Sequence, residues 1–185
     1  MGIIRVSDID TIEKCRVFVR NHMMASGLES RYRHTVAVAS LMRSKALELG
    51  LDPVIAESLG LLHDIGYCND YVDTGFHPLD GFNALKFNYP YFASQMLNHT
   101  STPEEAAARG IQLPAVWEDS YSLLLTWADC RIDAKGRFVG FEGRLADILN
   151  RYGAGSVVGK SNTAAWERIG ADERFQLFNA VATIE

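Results

Sequence analysis

The segment DPVIAESLGLLHDIGY, which starts at Asp52, constrains the fold more than any other stretch. Ile55, Leu59 and Leu62 recur at helical spacing and form a stripe for a core. Ala56, Gly60 and His63 repeat that spacing on a neighbouring face, where two small residues let another helix approach beside a histidine. Asp52 precedes Pro53, which suits a first helical turn because its missing N–H is not needed there. The helix then runs into His63 and Asp64, an ionisable pair that needs a partner if it is buried.

Helical periodicity dominates the rest of the chain. Ser7 is suited to cap a first helix that ends near Ser26-Gly27, and Ser30 to cap a second, SRYRHTVAVASLMRSKALELG, stopped by Gly50. Residues 69–77 read as a loop, followed by helical texture in HPLDGFNALKF and PYFASQMLNHT. Thr102-Pro103-Glu104-Glu105 has the cap, the proline and the acidic first turn of a helix start. A further helix is expected from about Trp117 to Cys130, then EGRLADILNRYG, and two more from Thr163 to Glu185. Gly136 sits between β-prone runs, so one short hairpin is expected within 131–141. The expected fold class is all-α, one domain over residues 1–185. Its last two helices, with Trp166, Phe175, Leu177 and Phe178, pack either on that domain or on a second subunit.

The 185 residues suffice for one substantial core. A net charge of −5 argues against a nucleic-acid polymer as partner, since backbone binding relies on Lys and Arg, and leaves room for a local patch that holds a small phosphorylated ligand. Cys15, Cys68 and Cys130 show no paired spacing, so reduced thiols are expected. The first residues, MGIIRVSDIDT, lack the pattern of a signal peptide, and no apolar run approaches the ~20 residues of a membrane span. A cytoplasmic protein without membrane partners is the expectation.

Four of the five histidines, His34, His63, His77 and His99, follow one another along these helices, with Asp64 and then Asp129. His34 faces inward if Val38, Leu41 and Lys45 continue its side, and Asp129 follows Leu123-Leu124-Leu125 and Trp127. Singly, an inward histidine is more often a hydrogen-bonded core residue and an Asp at a helix end a cap. Together they need four unrelated explanations or one divalent metal. Imidazole and carboxylate suit Mn, Fe, Co, Ni or Zn, and Mg stays open.

The order His34, His63-Asp64, Asp129, with the wording GLLHDIGY, resembles the HD-domain superfamily of metal-dependent phosphohydrolases. The resemblance spans about residues 30–150 and implies an all-α core whose metal is held by His34, His63, Asp64 and Asp129. TGFHPLDGFNAL is similar to the HPxxG element of members with additional ligands, which implies that His77 and His99 serve a second metal or touch the substrate phosphate. Many active members carry Lys after HDIG, where this chain has Tyr67, and members with a second metal often carry two histidines where it has Asn98-His99. One ion is therefore expected and a second left open. The continuation HHExxDGxGYP is absent, so cyclic-dinucleotide hydrolysis is not expected.

The resemblance implies hydrolysis of a phosphoester of a small metabolite or nucleotide by a metal-activated water. Asp64, the candidate catalytic residue, would hold the ion or orient the nucleophile, with Arg31, Arg33 and Arg131 as candidate phosphate partners. Phe76, Phe82, Tyr89, Tyr91 and Phe92 could stack on a base, though their spacing equally suits a core. Two readings compete: a non-catalytic metal- or nucleotide-binding regulatory domain, favoured by Tyr67 and Asn98, and di-iron oxygenase chemistry, permitted by His77 and His99.

Overall fold

The computed structural model describes residues 9–180, and within them the chain forms ten α-helices and no strand. Ser7 and the last five residues lie outside the described residues, as does the side chain of Leu177. In order the helices are α1 (Ile12–Ala25), α2 (Glu29–Glu48), α3 (Pro53–Leu62), α4 (His77–Leu85), α5 (Pro90–Met96), α6 (Thr102–Arg109), α7 (Ser120–Asp129), α8 (Gly140–Tyr152), α9 (Val157–Ala171) and α10 (Glu173–Ala180). No helix of the described residues is long and apolar enough to cross a membrane.

Several starts follow from side chains that accept the orphan N–H groups of a first turn. Asp52 accepts from the N–H groups of Val54 and Ile55, and Asp119 builds a capping box with Ser122. Ser30 departs from expectation: the cap is Leu28, two residues earlier, so Ser30 lies inside α2 and its hydroxyl donates instead to the carbonyl of Ala134. The helix starting at Pro53 also ends sooner than expected. It closes at Leu62 and passes into a 3-10 turn, Ile65–Tyr67, so His63 and Asp64 stand at a helix end rather than along a helix flank.

Helices α2 and α3 form a wedge between two apolar clusters. On one side Val38, Met42 and Leu59 pack with Leu124 and Leu125 of α7, Trp166 of α9 and Phe175 and Phe178 of α10. On the other, Ala39, Leu61 and Leu62 pack with Phe18, Val19 and Met23 of α1 and Met96 of α5. Each large side chain fully buried there contributes about 1.5–3 kcal/mol. The wedge is tight because Gly60 has no Cβ: one built there would lie 2.6 Å from the Cα of Ala39. Trp166, Phe175 and Phe178 are thus covered by the chain's own core.

The hairpin expected within 131–141 reduces to one antiparallel bridge, Ile132 to Phe138. Asp133 organises the turn by accepting from the N–H groups of Lys135 and Arg137. Helix α7 ends at Asp129 and α8 starts at Gly140, and the segment between them holds this bridge and its turn.

Candidate metal centre

His34 projects from α2, His63 follows the end of α3, and Asp129 closes α7, all buried at the seam of the wedge. One ligand atom from each of the three lies within 4.8 Å of the others. Their tautomers follow from their neighbours. His34 Nδ1 lies 3.0 Å from the carbonyl of Asp133, and His63 Nδ1 lies 2.7 Å from that of Gly60. A carbonyl only accepts, so both Nδ1 atoms carry hydrogen, and in the neutral ring each Nε2 presents a lone pair. Among the described residues no donor faces those two buried Nε2 atoms, which instead meet carboxylate oxygens, His34 Nε2 at 3.0 Å from Asp129 Oδ1 and His63 Nε2 at 3.3 Å from Asp64 Oδ2. Buried, unsatisfied nitrogen lone pairs beside a carboxylate, with Nδ1 anchored to main chain, fit a divalent cation.

Asp64 lies against this trio, its Oδ2 3.3 Å from His63 Nε2 and 3.8 Å from His34 Nε2. Its Oδ1 is 3.5 Å from His77 Nε2. The 3-10 turn brings His77 there. A Cβ on Gly66 would meet the His77 carbonyl at 2.1 Å, so only glycine admits the start of α4 this close. The His99 ring packs edge-on against both His63 and His77, with Nδ1 donating to the carbonyl of Met96. The structure therefore gathers His34, His63, Asp64, His77, His99 and Asp129 in one place, with His77 and His99 as an outer pair. Asn98 turns away and donates to the carbonyl of Trp117.

The charges are set for metal binding. Burial opposes charge on Asp64, but Arg31 and His63 outweigh it and hold the carboxyl well below its usual range. Asp129 is held low in the same way by Arg144 and His34 against burial. Burial lowers His34, His77 and His99, which favours neutral imidazole. At His63 burial also opposes charge, yet the Asp64 carboxylate prevails and raises it, so a cation would compete there with a proton.

The three candidate phosphate partners separate. Arg31 donates to Asp64 Oδ2 at 3.0 Å, stacks 4.1 Å above the Tyr67 ring and lines the cavity beside the centre. Arg33 is exposed, and Arg131 lies over Trp127 with hydrogen bonds to the Trp127 carbonyl and Asn179. Tyr67 is stacked with Arg31 and, at 4.1 Å, with His77, so its place supplies a platform rather than a cation.

Sequence reasoning missed two residues here. Arg144 of α8 is buried and donates to Asp129 Oδ1 at 3.1 Å. Thr100 takes φ +48, rare for a β-branched residue, and its hydroxyl donates to Asp129 Oδ2 at 2.6 Å. A helical Arg and a loop Thr carry no spacing signal that separates them from solvated neighbours. Of the five aromatic residues considered for stacking, Phe76 lines the cavity but is buried. Tyr89 and Tyr91 are bonded to the Ile9 carbonyl and to Asp119 respectively, and Phe82 and Phe92 pack on the core.

The HD domain family model matches residues 31–131. Ribonuclease Y of Rhodopirellula baltica is 33% identical over 143 residues, which is 72% of this chain and 25% of that protein. Ribonuclease Y of Deinococcus radiodurans is 32% identical over 111 residues, 60% of this chain and 18% of that protein. Ribonuclease Y of Clostridium botulinum is 36% identical over 75 residues, 40% of this chain and 15% of that protein. The chain thus spans a quarter or less of the length of these relatives. No solved structure matches it.

These relatives correct the exclusion of a nucleic-acid polymer, because they carry the name of a ribonuclease. The net charge of −5 is a sum over the whole chain, whereas four arginines, Arg31, Arg109, Arg144 and Arg151, converge on one cavity of about 190 Å³. Phosphate binding depends on such local placement.

Proposed function

Because the chain belongs to the HD domain family, we propose that it is a metal-dependent hydrolase that cleaves a phosphodiester of RNA or of an RNA-derived nucleotide. The observation that carries this reading is the pair of buried Nε2 atoms of His34 and His63, which face the carboxylates of Asp129 and Asp64, two residues that line an arginine-bearing cavity. His34, His63, Asp64 and Asp129 would hold a divalent transition metal, with His77 and His99 available to a second. When bound, the ion supplies a Lewis acid for a phosphoryl oxygen and lowers the pKa of water.

The chain's own residues do the rest. Arg31, fixed between Asp64 and the Tyr67 ring, presents its remaining N–H groups to phosphate oxygens with little loss of side-chain freedom. Arg144 keeps Asp129 ionised and adds positive charge where the phosphorane-like charge develops. Asp64, ionised and within reach of the same space, orients the nucleophile by accepting a hydrogen bond from it.

The test is a matrix of metals against bis-p-nitrophenyl phosphate, p-nitrophenyl phosphate and a short oligoribonucleotide, with metal content measured alongside. Turnover of the diester and the oligoribonucleotide is expected with bound metal, and Asp64→Ala should lose both metal and turnover. A metal-loaded chain that cleaves none of the three, or an Asp64→Ala variant with unchanged turnover, would overturn the reading. The ratio of metal to chain at saturation decides whether His77 and His99 hold a second ion.

A further inference from the structure

One face of α8 runs along the cavity wall. Arg144, Ile148, Arg151 and Tyr152 all line the cavity, and their spacing of four, three and one residues places them on one side of the helix. The face has two different ends. At the inner end Arg144 is buried and bonded to Asp129, with its Nε left without a partner. At the outer end Tyr152 is 42% exposed, one of the few large hydrophobic side chains so open to solvent and set against the cavity rather than the core. Tyr152 lines the same cavity as Arg31, Asp64, Tyr67, His77 and Asp129.

The outer end is also braced. The Arg151 guanidinium stacks 4.9 Å from the Tyr152 ring centroid, and its Nη1 donates to the Tyr152 hydroxyl at 3.3 Å. Asp147 holds Arg151 through two hydrogen bonds and Arg144 through a third, so one carboxylate fixes the cations at both ends. An exposed aromatic ring backed by a fixed guanidinium is the usual platform for a nucleobase, because every base offers a π-face. From Arg144 to Tyr152 the helix rises roughly 12 Å, comparable with the reach of a nucleotide from its phosphate to the far edge of its base.

We propose that Tyr152 and Arg151 form a base-stacking subsite, so that the centre takes phosphoesters bearing a nucleobase rather than sugar or other metabolite phosphates. This rests on the proposed function for the position of the phosphate, with Arg31 and Arg144 at its inner end.

Calorimetric titration of the full Mn-loaded chain with adenosine 5′-monophosphate and with ribose 5-phosphate tests it without turnover. The wild type should bind the nucleotide about tenfold more tightly, equivalent to about 1.4 kcal/mol. Tyr152→Ala should remove that preference by weakening the nucleotide alone, while Tyr152→Phe and Tyr152→Trp keep it. Equal affinity for both ligands in the wild type, no measurable nucleotide binding, or equal weakening of both ligands in Tyr152→Ala would overturn the subsite. Loss of preference in a chain that cleaves no phosphodiester would leave the subsite standing and sink the hydrolase reading. Cleavage with no base preference would do the reverse.

Discussion

Thr100 is held in a conformation that a β-branched residue resists, and one of the contacts that hold it there reaches the candidate metal centre. Its φ of +48 costs about 1–2 kcal/mol relative to the right-handed region. Three hydrogen bonds impose it: the N–H donates to the Thr126 hydroxyl, the carbonyl accepts from Arg168 at 2.8 Å, and the hydroxyl donates to Asp129 Oδ2 at 2.6 Å. The last bond, buried and to an ionised carboxylate, is worth about 1.5–3 kcal/mol. Thr100→Val keeps the shape and the strain and deletes the hydroxyl, so unfolding in denaturant should show a loss of about that size. Thr100→Ser should stay near the wild type. Thr100→Gly loses the same bond but recovers the strain, offset by about 0.5–1 kcal/mol of chain entropy, and should be no less stable than the valine variant. Metal affinity separates positioning from mere stability. Both Val and Gly leave Asp129 Oδ2 without its donor, with only Arg144 restraining the carboxylate, and should weaken binding about 10–100-fold in chelator competition, whatever their stabilities. A valine variant that binds metal as tightly as the wild type would refute the role assigned to Thr100.

Other perturbations have equally definite outcomes. Gly60→Ala places a Cβ 2.6 Å from the Cα and 3.0 Å from the N of Ala39, backbone atoms that cannot step aside. It should cost about 1–3 kcal/mol or more, read as a thermal midpoint several degrees lower, and an unchanged midpoint would contradict the α2–α3 packing. Burial pushes the thiols of Cys15 and Cys68 up to about 12 and raises that of Cys130 as well. A thiol reagent at pH 8 should therefore find none of the three free cysteines until the chain is unfolded, and rapid labelling of native protein would count against their burial. Arg31→Ala removes the cation that holds Asp64 low. The Asp64 pKa should rise, and the acid limb of the pH–rate profile should move to higher pH; an unmoved limb would mean that Asp64 is not the group it reports.

How far the sequence carried this argument depended on whether a residue's role is local. Asp52-Pro53 is a local signal, and α3 opens there as read, with the Asp52 side chain as its cap. The spacing of Ala56 and Gly60 encodes the close approach of α2, because a missing Cβ acts wherever the partner comes from. The end of α3 was not legible: Gly66 looks like a residue inside a helical run, and the need for glycine arises from the His77 carbonyl, eleven positions away. Ser30 failed as a cap for the same reason, since its hydroxyl found a carbonyl in the turn before α8. The histidines and aspartates could be picked out because burying an ionisable group is costly and demands an explanation. Arginines on helices demand none, so nothing in the chain's spelling distinguished Arg31 and Arg144, which reach the carboxylates, from Arg33 and Arg131, which do not.

The same limit explains why a net charge of −5 misled the reading of partners. Composition sums charges over the surface, whereas an anionic substrate meets only those on its path. Along that path Asp64 and Asp129 are each held ionised by an arginine and are the residues a cation would neutralise. A metal bound there would do more than complete a ligand set. It would offset the two carboxylates and leave Arg31 and Arg144 with charge to spare for a phosphate. Metal and phosphate should accordingly bind with positive coupling: phosphate affinity should fall on chelation and metal affinity should rise with phosphate by the same factor. Titrating each in the presence of the other measures both factors, and independent binding would show that the arginines stay committed to the carboxylates when the metal is in place.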